Sequence, residues 1–170
     1  SDAHVTFLEF LKGELDFISG LEPSYKDLVV TKTGELNPKY FGKFTMQSEP
    51  YLKTDFIGIL VDDSLNIVKS SPLRLKQVRQ AMNYGINRYE IAKFLRNNLC
   101  TPAISGFIPV GLPSFDSTRV KGYSYNPEKA RALLTESGFP EGKGLPEIII
   151  TTTNTFLDVI EYIQYQLGEI

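Results

Sequence analysis

Residues 78–88 read VRQAMNYGINR, and this stretch decides the fold of the middle of the chain. Apolar side chains recur at Leu75, Val78, Met82 and Ile86, on one side of a helix, while charged and amide side chains cover its other sides. The spacing predicts an amphipathic helix with one buried stripe. A second helix is predicted almost directly after it, because a further apolar set recurs at helical spacing.

The start of another helix is marked by three consecutive side chains. Asn126 supplies a side-chain cap, Pro127 has no N–H to leave unsatisfied in the first turn, and Glu128 lies near the positive end of the helix dipole. Gly138 predicts where this helix ends. These signals predict a helix that follows a proline- and glycine-rich loop over residues 101–113.

Two shorter helices are predicted nearer the N-terminus. Val5, Leu8 and Leu11 recur at helical spacing, and Gly13 follows where a left-handed cap is expected. Pro23 suits the first turn of the next helix.

Four segments predict β-strands, at residues 14–18, 43–47, 56–61 and 148–153. The third has no polar side chain and the fourth is β-branched throughout, as expected of strands covered on both faces. A capped helix is expected to begin at Thr155. Strand and helix alternate clearly only in the last third of the chain, so the predicted class is α/β, bordering on α+β, with a mixed sheet and covering helices.

The bulk composition indicates one ordinary globular domain. The chain has 170 residues, of which 42% are apolar and 22% charged. Its formal net charge of −2 argues against a nucleic-acid partner, because phosphate binding normally requires a basic excess. The paired central helices could belong to a helix-turn-helix domain, but the acidic balance and the few base-reading side chains argue against DNA binding.

No residue pattern indicates catalysis, a metal site or a cofactor. The only cysteine, Cys100, is expected to be a small buried apolar residue, and the only histidine, His4, has no cysteine near it. Glu14 and Asp16 suit the solvated face of a strand better than a carboxylate pair for acid–base chemistry. Ser105 lacks the preceding glycine of a nucleophile elbow. We therefore expect no enzymatic activity and no cofactor.

The two helical segments together resemble signature segments of bacterial extracellular solute-binding proteins, family 5, which capture oligopeptides and dipeptides for ABC importers. The resemblance extends from about Gly13 to Leu167 and includes the proline- and glycine-rich loop between them. The chain departs from the family pattern at Gly85, where alanine is common. The matching positions are Arg79, Ala81, Ile86, Asn87 and Arg88, followed by Tyr125 to Ala130 and by Gly138.

This resemblance implies one truncated lobe of a periplasmic-binding-protein-like fold of class II, the Venus-flytrap type. Residues 1–20 are then expected to cross between lobes, and residues 21–170 to form the core of the large lobe. The implied partners are a peptide ligand and the permease subunits of an ABC importer. The implied location is periplasmic or extracytoplasmic, after removal of a signal sequence, with any membrane contact made by a lipid anchor outside these residues.

The predicted ligand contacts lie in two loops. Loops at strand ends commonly build sites, so Thr153, Asn154 and Thr155 are expected to hydrogen-bond the backbone of a peptide. Phe107 and Ile108 are expected to supply apolar contact. Simpler roles remain open: Thr155 would also suit a helix cap, and Phe107 and Ile108 would also suit packing within their own loop.

Two functions from other classes remain open at this point. The first is the sensing domain of a transcription regulator that uses the same fold, and the second is an interaction module without a small ligand. Within the wider family the fold also carries nickel chelates, sugars and haem, so the resemblance leaves the ligand open.

Overall fold

A computed structural model describes residues 3–21, 25–49 and 51–170. A short helix, Arg88–Glu90, continues directly into a π-helix, Ile91–Leu95. Single 3-10 turns occur at Pro38–Tyr40, Pro72–Arg74, Pro140–Gly142 and Asn154–Phe156. The α-helices are α1 (Ala3–Lys12), α2 (Lys26–Val29), α3 (Asn66–Ser70), α4 (Lys76–Gly85), α5 (Arg88–Glu90), α6 (Pro127–Glu136) and α7 (Leu157–Gly168).

The central helices confirm the predictions made from their sequences. Val78 on α4 is completely buried, and Met82 and Ile86 are buried with it. The Asn126 side chain accepts a hydrogen bond from the Lys129 backbone N–H at 2.9 Å, and so caps α6 as expected. Gly138 follows α6 with a φ of +90°. A glycine is required there because other residues rarely adopt this left-handed conformation.

Helices α4 and α6 pack against each other and form one core of the protein. Ala81 of α4 and Ala130 and Leu134 of α6 are buried together. The small alanine side chains allow the two helices to approach closely. The backbone N–H of Asn126 donates to the Tyr84 carbonyl at 2.8 Å, which fixes the start of α6 at the end of α4.

A separate apolar cluster lies in the N-terminal part, where Phe7 of α1 packs with Val29, Val30 and Tyr40. The predicted helix before Gly13 is confirmed. Its buried residue is Phe7, however, while the Val5, Leu8 and Leu11 side chains are largely exposed. The predicted helix opened by Pro23 corresponds to α2, but Pro23 itself lies outside the described residues.

The predicted mixed sheet is not observed in the described part of the chain. There, the only β-type contact is an isolated antiparallel bridge between Val30 and Leu36. The four segments that predict strands form neither helix nor strand, and none of them pairs in a ladder with another described segment. An extended backbone becomes a strand only when a neighbour accepts and donates its hydrogen bonds, and local sequence does not specify that neighbour.

The N-terminal cluster is joined to the end of the π-helix by polar contacts around Asn97, a residue with no exposed surface. Its side-chain amide donates to the Asp27 carboxylate at 3.0 Å and to the Val30 carbonyl at 3.2 Å. The Lys26 ammonium donates to the Leu95 carbonyl at 2.7 Å. The turn that follows the π-helix is therefore fixed directly to α2.

Candidate functional site

The segment at residues 51–56 is neither helix nor strand, and it contacts Phe107 of one loop predicted to bind ligand and Phe156 directly after the other. The Lys53 Nζ lies 5.5 Å from the centre of the Phe156 ring. Phe156 directly follows the predicted contact residues 153–155 in the chain. At the other end of the segment, the Phe56 ring lies 5.0 Å from the Phe107 ring in an edge-to-face arrangement. The segment thus joins two predicted contact loops that are far apart in sequence.

The first loop presents three exposed polar side chains, Thr153, Asn154 and Thr155. Thr153 is extended, with φ −91° and ψ 160°, and its carbonyl accepts the backbone N–H of Phe156 at 3.0 Å. The prediction that a capped helix begins at Thr155 is wrong. Helix α7 begins at Leu157, and the residue at its cap position, Phe156, makes no side-chain hydrogen bond to the helix. The Thr155 hydroxyl is consequently not used as a cap and faces solvent.

The second loop also exposes apolar side chains. Phe107 retains 62% of its surface, and Ile108 is exposed to a smaller extent. The loop is held in place by backbone contact, since the Gly122 N–H donates to the Ile104 carbonyl at 3.0 Å. A Cβ at Gly122 would lie 2.3 Å from that carbonyl oxygen, so this close approach requires glycine.

An ion pair occupies the middle of the 51–56 segment. The Lys53 Nζ lies 2.7 Å from the Asp55 carboxylate, and both side chains are about half exposed. The hydrogen bond to Asp55 raises the pKa of Lys53, so the ammonium remains charged across the physiological range. The pair places one positive and one negative charge beside the Phe156 ring, where both are accessible to a polar ligand.

A second ion pair fixes the start of α7 behind this surface. The Arg96 guanidinium binds the Asp158 carboxylate through two N–H···O bonds, at 2.7 and 3.2 Å. This hydrogen bonding lowers the pKa of Asp158 and raises that of Arg96. A bidentate arginine–carboxylate pair sets orientation as well as distance. It therefore positions the turn that carries residues 153–155.

Cys100 lies near this charge cluster, and the expectation that it is buried is wrong, since the residue is exposed. Partial desolvation of its sulfur nevertheless raises the pKa of the thiol, and the nearby Arg96 opposes that effect only in part. A thiol with a raised pKa is a weak nucleophile at neutral pH. Cys100 is therefore unsuited to nucleophilic catalysis.

Sequence reasoning missed Lys53, Phe56 and Phe156 as members of this surface. A signal was present for Lys53 and Phe56. Lys53 comes shortly before the predicted strand at residues 56–61 and Phe56 begins that strand, and sites commonly form in loops at strand ends. Phe156 was predicted to be buried by its helix, yet it lies partly exposed beneath Lys53.

Among the described residues, no group of three or more His, Cys, Asp or Glu side chains is arranged to hold a metal ion. Among the same residues, no helix is both long and apolar enough to cross a membrane.

Comparison with known proteins identifies the family. The family described as bacterial extracellular solute-binding proteins, family 5 (middle region), matches residues 1–170. The glutathione-binding protein GsiB of Shigella flexneri serotype 5b is 32% identical over 107 residues, which are 63% of this chain and 20% of the relative. The proteins of the same name from Escherichia coli K12 and Salmonella typhimurium LT2 are 33% identical over equal shares.

The matching stretch thus spans about a fifth of the length of these relatives. Each of them is named for binding a solute rather than for a reaction. Because the family match covers the entire chain, this chain belongs to the bacterial extracellular solute-binding proteins, family 5.

Proposed function

We propose that this chain forms part of the ligand-binding lobe of an extracytoplasmic peptide-binding protein, which delivers its ligand to the permease subunits of an ABC importer. The observation that supports the proposal is the 51–56 segment, in which Phe56 contacts Phe107 of one predicted loop and Lys53 contacts Phe156 directly after the other. Family 5 proteins have a periplasmic-binding-protein-like fold and serve as the substrate-binding parts of ABC importers.

The chemistry of this surface suits a peptide. The exposed hydroxyl and amide groups at Thr153, Asn154 and Thr155 are able to bond backbone N–H and C=O groups, while Phe107 offers an apolar face to a side chain. The Lys53–Asp55 pair supplies both signs of charge for a zwitterionic ligand. The relatives named for glutathione support a small peptide in particular, because glutathione is itself a tripeptide.

The proposed mechanism is closure of two lobes on the ligand, in which contacts to both lobes favour the closed form. Residues 21–170 would form the core of the large lobe, and residues 1–20 would cross toward the other lobe. The closed form would then dock on the permease. No step of this mechanism requires a cofactor or covalent chemistry.

The test uses the full-length protein. Ligand that co-purifies with it is identified by mass spectrometry, and its affinity is measured by calorimetry for the unaltered protein and for F107A and T155A. Ligand coverage of about half of the Phe107 side chain is worth about 1–1.5 kcal/mol, so F107A should bind about five- to twelvefold more weakly. T155A should lose about 1 kcal/mol, the net value of one hydrogen bond.

Matched controls separate ligand contact from general effects. Phe17 is an aromatic residue that is even more exposed than Phe107, and Thr135 is an exposed threonine whose hydroxyl donates to the Arg131 carbonyl of its own helix. F17A and T135A should therefore leave the affinity unchanged. Recovery of a sugar or metal chelate instead of a peptide would contradict the substrate class. Unchanged affinity in F107A and T155A would contradict the proposed surface.

A further inference from the structure

The carbonyl of Leu95 is the point at which two cationic side chains meet. Leu95 is the last residue of the π-helix, and the last carbonyls of a helix have no partner within the helix itself. The Lys26 Nζ donates to this oxygen at 2.7 Å, and the Arg96 Nη1 donates to it at 2.8 Å. Hydrogen bonds from charged donors are the stronger class. The orientation of this carbonyl is therefore set jointly by Lys26 and Arg96.

The Lys26 ammonium is directed at the π-helix rather than at its neighbour in the sequence. Lys26 begins α2, and its side chain is only 18% exposed. The Asp27 carboxylate lies 3.6 Å from the Lys26 Nζ, which is too far for a hydrogen bond. The contact with the Leu95 carbonyl, at 2.7 Å, is much shorter. Binding of that carbonyl is therefore the main contact of the ammonium group.

The Arg96 nitrogen that binds the Leu95 carbonyl also binds Asp158. Nη1 donates to the Asp158 Oδ2 at 2.7 Å, while Nη2 donates to the Oδ1 at 3.2 Å. Asp158 lies in the first turn of α7, three residues after Thr155. A continuous series of contacts therefore connects the start of α2 to the turn that carries residues 153–155.

The peptide plane between Leu95 and Arg96 transmits orientation along this series. The Leu95 carbonyl and the Arg96 N–H belong to one planar unit, so rotation of the carbonyl also turns the backbone from which the Arg96 side chain extends. Lys26 holds this unit from the side of α2. Without Lys26, the Arg96 side chain would have to bind both the carbonyl and Asp158 from a backbone that is less firmly fixed.

The charge of Lys26 acts in the same direction. The pKa of Asp158 is lowered mainly by its hydrogen bond to Arg96, and the positive charge of Lys26 lowers it further. An opposite charge nearby favours the ionised form of a carboxyl group. Lys26 thus favours the carboxylate form that Arg96 binds with two hydrogen bonds.

We propose that Lys26 is a positioning residue for the loop at residues 153–155. It holds the Leu95 carbonyl, and through it Arg96, in the orientation that binds Asp158 and fixes the start of α7. This role rests on the proposed function only in assigning ligand contacts to that loop, and its test requires no ligand. Failure of the test would leave the proposed function standing, because the affinities of F107A and T155A test that function separately.

The test is amide hydrogen exchange in the full-length protein, measured at Phe156 and Val159. Their N–H groups donate to the Thr153 carbonyl at 3.0 Å and to the Asp158 Oδ1 at 2.8 Å, so they report on the loop and on the start of α7. K26M keeps an apolar stem of similar length but loses the charge and the donors. It should speed exchange at both amides about three- to tenfold, which corresponds to the net worth of one hydrogen bond.

Three comparisons separate positioning from a general loss of stability. The Lys129 amide is bound by a side chain at the start of α6, and its exchange should be unchanged in K26M. K26R keeps a charged donor and should restore slower exchange at the two α7 reporters. K32M should have no effect on them. Lys32 pairs with the same Asp27 carboxylate, at 3.0 Å, but its side-chain hydrogen bonds in the described part of the chain go to Asp27 and Asn97.

A double variant tests whether Lys26 acts through Arg96. R96K removes the bidentate pair, so K26M/R96K should exchange no faster than R96K at the Phe156 and Val159 amides. Additive effects would mean that Lys26 acts by another route, and would overturn the proposal. It is also overturned if K26M leaves these amides unchanged, if K26R or K32M speeds them as much as K26M does, or if the Lys129 amide accelerates equally.

Discussion

Replacement of Asn97 by alanine should destabilise the protein far more than the same change at its neighbour Asn98. Asn97 is completely buried, and its amide group donates to the Asp27 carboxylate and to the Val30 carbonyl. These bonds connect the N-terminal cluster to the helical part of the chain. The Asn97 backbone is left-handed, with a φ of +48°, a conformation that asparagine tolerates better than alanine.

The expected cost is the sum of three losses. The bond to the ionised carboxylate is worth about 1.5–3 kcal/mol, and the bond to the carbonyl is worth about 1 kcal/mol. Alanine in the left-handed region adds roughly 1 kcal/mol relative to asparagine. N97A should therefore lower the free energy of unfolding by about 3.5–5 kcal/mol.

Asn98 supplies a matched control, because it has a similar left-handed backbone, with a φ of +59°, and a similar side chain. It is exposed, and its amide makes a single bond to the Lys32 carbonyl at 2.8 Å. N98A should lower the free energy of unfolding by about 1.5–2 kcal/mol. Because both variants carry the same backbone strain, the difference between their costs reports the buried hydrogen bonds of Asn97.

The assay is urea unfolding followed by far-ultraviolet circular dichroism for both variants under identical conditions. N97D adds a test of direction, because it keeps the shape of the side chain but places a second carboxylate against Asp27. At pH 7, N97D should lower the free energy of unfolding at least as much as N97A does. At pH 4, N97D should lower it less than it does at pH 7. Equal costs for N97A and N98A, within 0.5 kcal/mol, would refute the reasoning.

Three further outcomes follow from single contacts. G85A should lower the free energy of unfolding by about 1 kcal/mol, because its Cβ would lie 2.5 Å from the Ile170 Cδ1, and I170A added to it should restore stability in urea unfolding. R88K should lower the free energy of unfolding by about 2 kcal/mol in the same assay. Arg88 is largely buried, which lowers its pKa, and its planar fork donates to two backbone carbonyls and one side-chain amide oxygen, a geometry that lysine cannot reproduce. A loss below 0.5 kcal/mol would contradict this reasoning. Since the hydrogen bond to Arg96 lowers the pKa of Asp158, the pair stabilises the protein above the ordinary carboxyl pKa of 3.8, and this contribution is lost as the pH falls through the lower folded value. It should amount to under about 1 kcal/mol for so exposed a carboxylate, and D158N should show less loss of stability than the unaltered protein between pH 4 and pH 2.

Helix positions could be predicted from the sequence because the signals that set them act within one turn. Asn126 caps α6 through a bond to a residue three positions away. Gly13 and Gly138 follow their helices in the left-handed conformation that ends a helix. The apolar spacing around Val78 likewise predicts which side of α4 is buried. In each case, the residues that provide the signal also form the structure.

Strand pairing and the ligand surface could be predicted only in part because both depend on residues far apart in sequence. The 148–153 segment has the composition of a strand but forms none among the described residues, because pairing requires a neighbour that its own sequence does not specify. Phe107 was predicted as a contact residue from its loop alone. Its neighbour Phe56 could be recognised only when the fold placed the two rings together.

Gly85 shows how a departure from a family pattern acquires a physical reason only in three dimensions. Glycine in the last turn of α4 is unfavourable by helix propensity, by up to about 1 kcal/mol relative to alanine. A residue with that cost is expected where another group needs the space. The Ile170 and Leu167 side chains, from the end of α7, occupy the position of the missing methyl group, with Leu167 Cδ2 at 3.1 Å from where a Cβ would lie. The residue at position 85 is therefore constrained by the end of a helix more than 80 residues later in the chain, and its effect on stability should be judged together with Ile170 rather than by helix propensity alone.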